Sequence, residues 1–134
     1  MHTILLADDN ADSRDIYRTL FSVHGYDVLE AEDGMRAVEM SADRCPDIIL
    51  LNLRMPNLDG YGVLQELRSR AATENIPCIV FTGDVRYEQM GRAVMEGAEA
   101  FLAKPAEPRE VLRFVQEVLR DRSRESADPD SSNT

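Results

Sequence analysis

Two short stretches, Ile48–Leu51 and Cys78–Phe81, are apolar at every position. A strand with one face in water alternates apolar and polar residues, so unbroken runs of this length point to strands buried on both faces, as in a parallel sheet covered by helices. Longer amphipathic segments separate the apolar runs, and the alternation of strand and helix repeats five times. The pattern predicts strands over 2–7, 27–31, 47–51, 77–82 and 100–102, with helices over 13–24, 34–42, 61–70, 87–96 and 108–122. Right-handed crossovers then give an α/β fold, an open doubly wound sheet with helices on both faces. In the first helix Ile16, Leu20 and Val23 form the expected core stripe and Gly25 the C-terminal cap. In the last, Val111, Leu112, Val115, Val118 and Leu119 recur at helical spacing and read as core.

A chain of 134 residues fits one domain with a core of its own. No apolar run approaches the ~18 residues of a membrane span, and Met1-His2-Thr3 leads straight into Ile4–Ala7 without a signal peptide, so a cytoplasmic location is expected. A formal charge of −10 argues against non-specific nucleic-acid binding, which draws on Lys and Arg. Cys45 and Cys78 lack metal-site or framework spacing and read as reduced thiols, buried as packing material. From Asp121 the sequence turns polar, "DRSRESADPDSSNT", so the domain is expected to span 1–122 and a disordered tail or linker 123–134. The start at Met1 and the polar end favour a stand-alone module.

Ligands of such sheets bind beyond the carboxyl ends of the strands, where strand order reverses. The first polar groups after the apolar runs are Asp8-Asp9, Asn52, Thr82 and Lys104. Adjacent acids alone read more readily as an N-cap or a solvated turn than as a metal site. Converging on one edge with a hydroxyl and an ammonium, they supply a hard-cation site beside an anion site, which suits Mg²⁺ and a phosphoryl group.

With Asp8-Asp9, "LRMPNLDG", Thr82-Gly83 and Lys104-Pro105 at these spacings, residues 1 to about 120 resemble the receiver domains of two-component response regulators. The resemblance implies a flavodoxin-like (βα)5 fold with strand order 2-1-3-4-5, and a signalling module rather than an enzyme. It also implies phosphorylation by a histidine kinase or a histidine phosphotransfer protein. By the same resemblance Asp9 is a direct Mg²⁺ ligand, Asp8 a ligand through water, and the Arg54 backbone carbonyl completes the set. The resemblance further implies that Thr82 and Lys104 bind phosphoryl oxygens and that Pro105 follows a cis peptide; Phe101 matches the family's switch aromatic by its offset from Lys104 and reads equally as an ordinary core aromatic. Arg54 and Asp84 flank the site at positions the family uses to control access of water, though on their own they read as a solvated pair. Output is expected through the fourth helix, fifth strand and fifth helix, toward a partner protein or a second copy.

Asn52 departs from the pattern, because it occupies the position of the phosphoacceptor aspartate. An amide oxygen is a much weaker nucleophile than a carboxylate and removes one anionic metal ligand, so this chain is expected to be phosphorylation-deficient with weakened Mg²⁺ binding. Relief of carboxylate crowding should in turn stabilise the metal-free fold. Three explanations stand open: an engineered substitution, which the intact surroundings favour; a natural pseudo-receiver acting as a phosphorylation-independent interaction module; or another acceptor group. A small enzyme on the same architecture, a phosphatase or flavin protein, fares worse, since the first strand ends in Asp8-Asp9-Asn10 rather than DxD and no glycine-rich phosphate loop follows.

Overall fold

The computed structural model describes residues 2–83 and 86–127. The elements run β1 (Thr3–Ala7), α1 (Ala11–Val23), β2 (Asp27–Ala31), α2 (Gly34–Arg44), β3 (Ile48–Leu51), α3 (Gly60–Arg68), β4 (Cys78–Thr82), α4 (Tyr87–Met95), β5 (Ala100–Ala103) and α5 (Pro108–Ala127). The strands form one parallel sheet, as the apolar runs predict, in the order β2-β1-β3-β4-β5 that the resemblance implies.

Alternation along the central strands divides the core in two. Leu5, Ala7, Ile49, Leu51, Cys78 and Val80 face one way, with Val38 of α2, Leu64 of α3 and Ala93 of α4 in the same cluster. Ile4, Leu6, Ile48, Leu50, Ile79 and Phe81 face the other way, against Phe21 of α1 and Val111, Val115 and Leu119 of α5. Both faces of β3 and β4 are therefore covered, which is why those runs admit no polar residue.

The expected core stripe of α1 is corrected. Ile16 and Val23 are 55% and 77% exposed, and Phe21 is the residue fully buried. Tyr17 and Leu20 pack partly against the same cluster. Phe21 also meets Tyr26 edge to face, with ring centroids 5.8 Å apart. Gly25 does close the helix: at φ +89° it donates to the Ser22 carbonyl while the Tyr26 N–H reaches Phe21, the paired bonds of a Schellman stop.

The polar segment expected as a tail from 123 is also corrected in part. α5 continues to Ala127, because "SRESA" holds good helix formers and no glycine or proline to stop it; the expectation for 128–134 lies outside the described residues. Cys78 is buried as expected, whereas Cys45 is exposed at the C-cap of α2, so it is not packing material; both are free thiols. No helix among the described residues is long and apolar enough to cross a membrane.

Candidate functional site

Register places the strand ends side by side. Ala7 pairs with Leu51, and Asn52 N–H donates to the Ala7 carbonyl at 2.9 Å. Asp8 and Asn52 thus stand on the next rung, astride the point where the chain turns to β2 on one side and β3 on the other. Thr82 pairs with Ala103, and Lys104 N–H donates to the Thr82 carbonyl at 2.8 Å. Asp8, Asp9, Asn52, Arg54, Thr82 and Lys104 line one cleft. Five of them follow from the strand ends in the sequence, and Arg54 from the family resemblance alone.

Local structure explains the placement. Asn10 caps α1, its side chain accepting from the Ser13 N–H, so the helix starts at Ala11 instead of Ser13 and its first turn rises at the cleft. Gly60 opens α3 directly against the end of β3; a Cβ there would lie 2.7 Å from the Asn52 carbonyl oxygen and 2.8 Å from Leu53 Cα. That close approach is what the glycine of "LRMPNLDG" permits.

Asp8 is the hub. Its Oδ2 accepts from Lys104 Nζ at 2.7 Å, and its Oδ1 accepts from the Asn10 N–H at 3.0 Å and from Asn52 Nδ2 at 3.2 Å. Burial pushes the Asp8 carboxyl up, but the Lys104 ammonium and the Asn10 N–H, with a smaller share from Ser13, outweigh it and hold the group below its ordinary 3.8. Lys104 reaches this acid from the far side of β4 and β3, passes 5.1 Å from the Phe81 ring centroid, and stands 3.5 Å from Ser13 Oγ. Its peptide bond to Pro105 is cis.

The remaining residues fall as follows. Asp9 and Arg54 are exposed at the cleft mouth. Thr82 is buried and alternates onto the same face of the sheet as Phe101, which is half-buried against the α2–α3–α4 cluster. Asp84 lies outside the described residues. Among the described residues no group of three His, Cys, Asp or Glu side chains is placed to hold a metal ion; the cleft offers the Asp8 and Asp9 carboxylates and, at the third position, an amide. Sequence reasoning missed Asn10, Ser13 and Arg14. Asn10 and Ser13 carry a legible signal, a capping residue three before its partner. Arg14 carries none, because its partners are Glu30 and a backbone carbonyl.

Residues 4–116 match the family described as response regulator receiver domain. The chain is 38% identical over 117 residues to a probable transcriptional regulator, ycf27, of Porphyridium aerugineum, covering 87% of this chain and 48% of that protein. It is 33% identical over 118 residues to the phosphate regulon transcriptional regulatory protein PhoB of Pseudomonas aeruginosa, covering 88% and 52%. The chain spans about half the length of these curated relatives. Among solved structures, the receiver domain of a sensor histidine kinase from Pseudomonas aeruginosa PAO1, determined with a magnesium ion coordinated in its active site cleft, superposes with a TM-score of 0.82 at 29% identity, covering 88% of this chain and 97% of that one.

Proposed function

Because the chain belongs to the response regulator receiver domain family, we propose that it is a phosphorelay receiver whose acceptor position is 52, silent as written and competent in an Asn52→Asp form. Domains of this family are signalling modules that work with histidine kinases and output domains. In the competent form a carboxylate oxygen at position 52 attacks phosphorus, the phosphohistidine nitrogen leaves, and an acyl phosphate results. Lys104 and Thr82 are the residues assigned to the phosphoryl oxygens. Lys104 is anchored on Asp8 until a more strongly charged acceptor arrives. Thr82 and Phe101 share a face of the sheet, so a shift of the first toward the phosphoryl group is read by the second, and through it by the surface of α4, β5 and α5. That surface is the proposed contact for an output protein or a second copy; Arg54 and Asp84 are assigned to water access, and Pro105 to the turn after Lys104.

The donors fit Mg²⁺ in kind: the Asp8 and Asp9 carboxylates, with the Arg54 carbonyl, are hard oxygens. When bound, the ion neutralises charge on the transferring group. With an amide at position 52 one anionic donor is lost, and Asn52 Nδ2 is turned toward Asp8 Oδ1, so affinity is weakened. The observation that carries the reading is the arrangement of Asp8, Lys104 and Asn52 in one hydrogen-bonded set at the strand switch point.

One observation favours a second reading, a phosphorylation-independent interaction module. The amide donates a hydrogen bond to Asp8 that an ionised aspartate could not, and among the described residues no buried side-chain polar atom lacks a partner. A site thus satisfied has no demand for metal. Calorimetric titration with MgCl₂ separates the two: affinity that is weak in this chain and rises at least tenfold in Asn52→Asp supports the receiver, and no binding in either form supports the module.

A further inference from the structure

The carboxylate of Asp8 is aimed by its backbone, and the backbone is held from both ends. Its N–H donates to the Ala31 carbonyl at the end of β2, 3.0 Å away. Its carbonyl accepts from Arg14 Nη1 at 2.6 Å. Arg14 lies one turn into α1, only 15% exposed, and its Nε donates at 3.2 Å to Glu30 on the edge strand β2. A nearly buried guanidinium needs such a counter-charge. From this geometry we infer that Arg14, braced by Glu30, is a positioning residue for Asp8, fixing where that carboxylate stands relative to Asn52 and Lys104 and so setting the site's affinity for its cation. The inference rests on the receiver reading of the cleft.

The choice of side chain is specific. A guanidinium presents donors in a rigid fork, so Nε can hold Glu30 while Nη1 holds the loop; a lysine ammonium on its flexible stem fixes neither angle. Arg18, one turn further on, supplies a built-in control. It also donates to Glu30, at 3.0 Å, and to Asp15, but at 44% exposure it stands toward solvent and its bonds run to those two acids. Loss of Arg18 removes a partner of Glu30; loss of Arg14 releases the Asp8 carbonyl. Displacement of a reacting group by an ångström is enough for rate losses of about a hundredfold, and removing a residue that orients a metal ligand costs about 10- to 100-fold in metal affinity.

The test uses the full chain carrying Asn52→Asp, alone and with Arg14→Met, Arg14→Lys, Glu30→Gln or Arg18→Met, at a temperature where circular dichroism finds all of them folded. Arg14→Met should weaken the Mg²⁺ Kd by tenfold or more, Arg14→Lys and Glu30→Gln should fall between, and Arg18→Met should stay within about twofold of the parent. Equal effects of Arg14→Met and Arg18→Met, or none from either, would overturn the inference. A second readout needs no metal. In the chain with Asn52, the Asn10 amide reports the Asp8 carboxylate through its hydrogen bond. Arg14→Met should move that amide resonance and raise its hydrogen exchange, while Arg18→Met leaves both unchanged. If Asn52→Asp binds no Mg²⁺, the receiver reading fails and the Asn10 amide alone decides: movement with Arg14→Met sustains the positioning role, and no movement ends it.

Discussion

Substituting Lys104 by Met should reverse the direction of the Asp8 pKa shift. Burial is the largest single influence on Asp8 and pushes it up; Lys104 acts against burial twice, through its hydrogen bond and through its charge, and without it the neutral donors, the Asn10 N–H, Ser13 and the Asn52 amide, are left to oppose burial. Methionine keeps the apolar stem beside Phe81 and removes the ammonium, so the change is close to purely electrostatic. Breaking a buried ion pair costs about 3–5 kcal/mol and an exposed one about 0–1. With side chains 24% and 11% exposed, Lys104 and Asp8 lie between, at about 2 kcal/mol, or about 8 °C in Tm for a domain of this size. In the parent the depressed pKa contributes stability that is present above the unfolded value of about 3.9 and is lost as pH falls through the folded value. In Lys104→Met the raised pKa makes the ionised Asp8 a burden that acidification relieves. The gap between the two proteins should therefore be widest near neutral pH and shrink below about pH 4. Urea unfolding at pH 7, 5 and 3.5, with the Asp8 carboxyl followed by ¹³C NMR, measures both. A pH-independent gap, or an Asp8 in Lys104→Met still below 3.8, would refute the reasoning.

Phe21→Ala should cost about 3–5 kcal/mol in urea unfolding because it empties the core under α1, whereas Val23→Ala, at 77% exposure, should change stability by less than about 0.5 kcal/mol. Gly91 lies inside α4 with open space where a Cβ would go, so Gly91→Ala should stabilise by about 0.5–1 kcal/mol; the same change at Gly34 sets a Cβ 1.8 Å from the Leu58 carbonyl oxygen and should lower Tm sharply. Burial pushes the Cys78 thiol up to about 11, so iodoacetamide at pH 8 should add one label to the native protein, on exposed Cys45, and two after denaturation.

Fold class was legible because parallel strands covered on both faces have no choice but unbroken apolar runs, and the strand bounds of β2 came out as read. Helix facing was less so. α1 carries Ile16, Leu20 and Val23 on one stripe and Tyr17, Leu20 and Phe21 on another, and local spacing cannot say which meets the sheet; the larger aromatic area of Phe21 decides it. Arg54 closes no apolar run and came only from the resemblance, whereas Asp8, Asp9, Asn52, Thr82 and Lys104 were legible in the cleft as polar groups closing apolar runs. What supports those groups was not: Arg14 and Glu30 are 16 positions apart and meet only after α1 folds back onto β2.

Position 52 is proposed as the acceptor, with the groups around it still able to act. Intact mass after incubation with acetyl phosphate and Mg²⁺, on this chain and on Asn52→Asp, tests it most directly. One phosphoryl adduct on Asn52→Asp, mapped to position 52 and absent from the chain with Asn52, is the predicted result. Equal adducts on both proteins, or none on Asn52→Asp even with a phosphorylated donor protein, would contradict it.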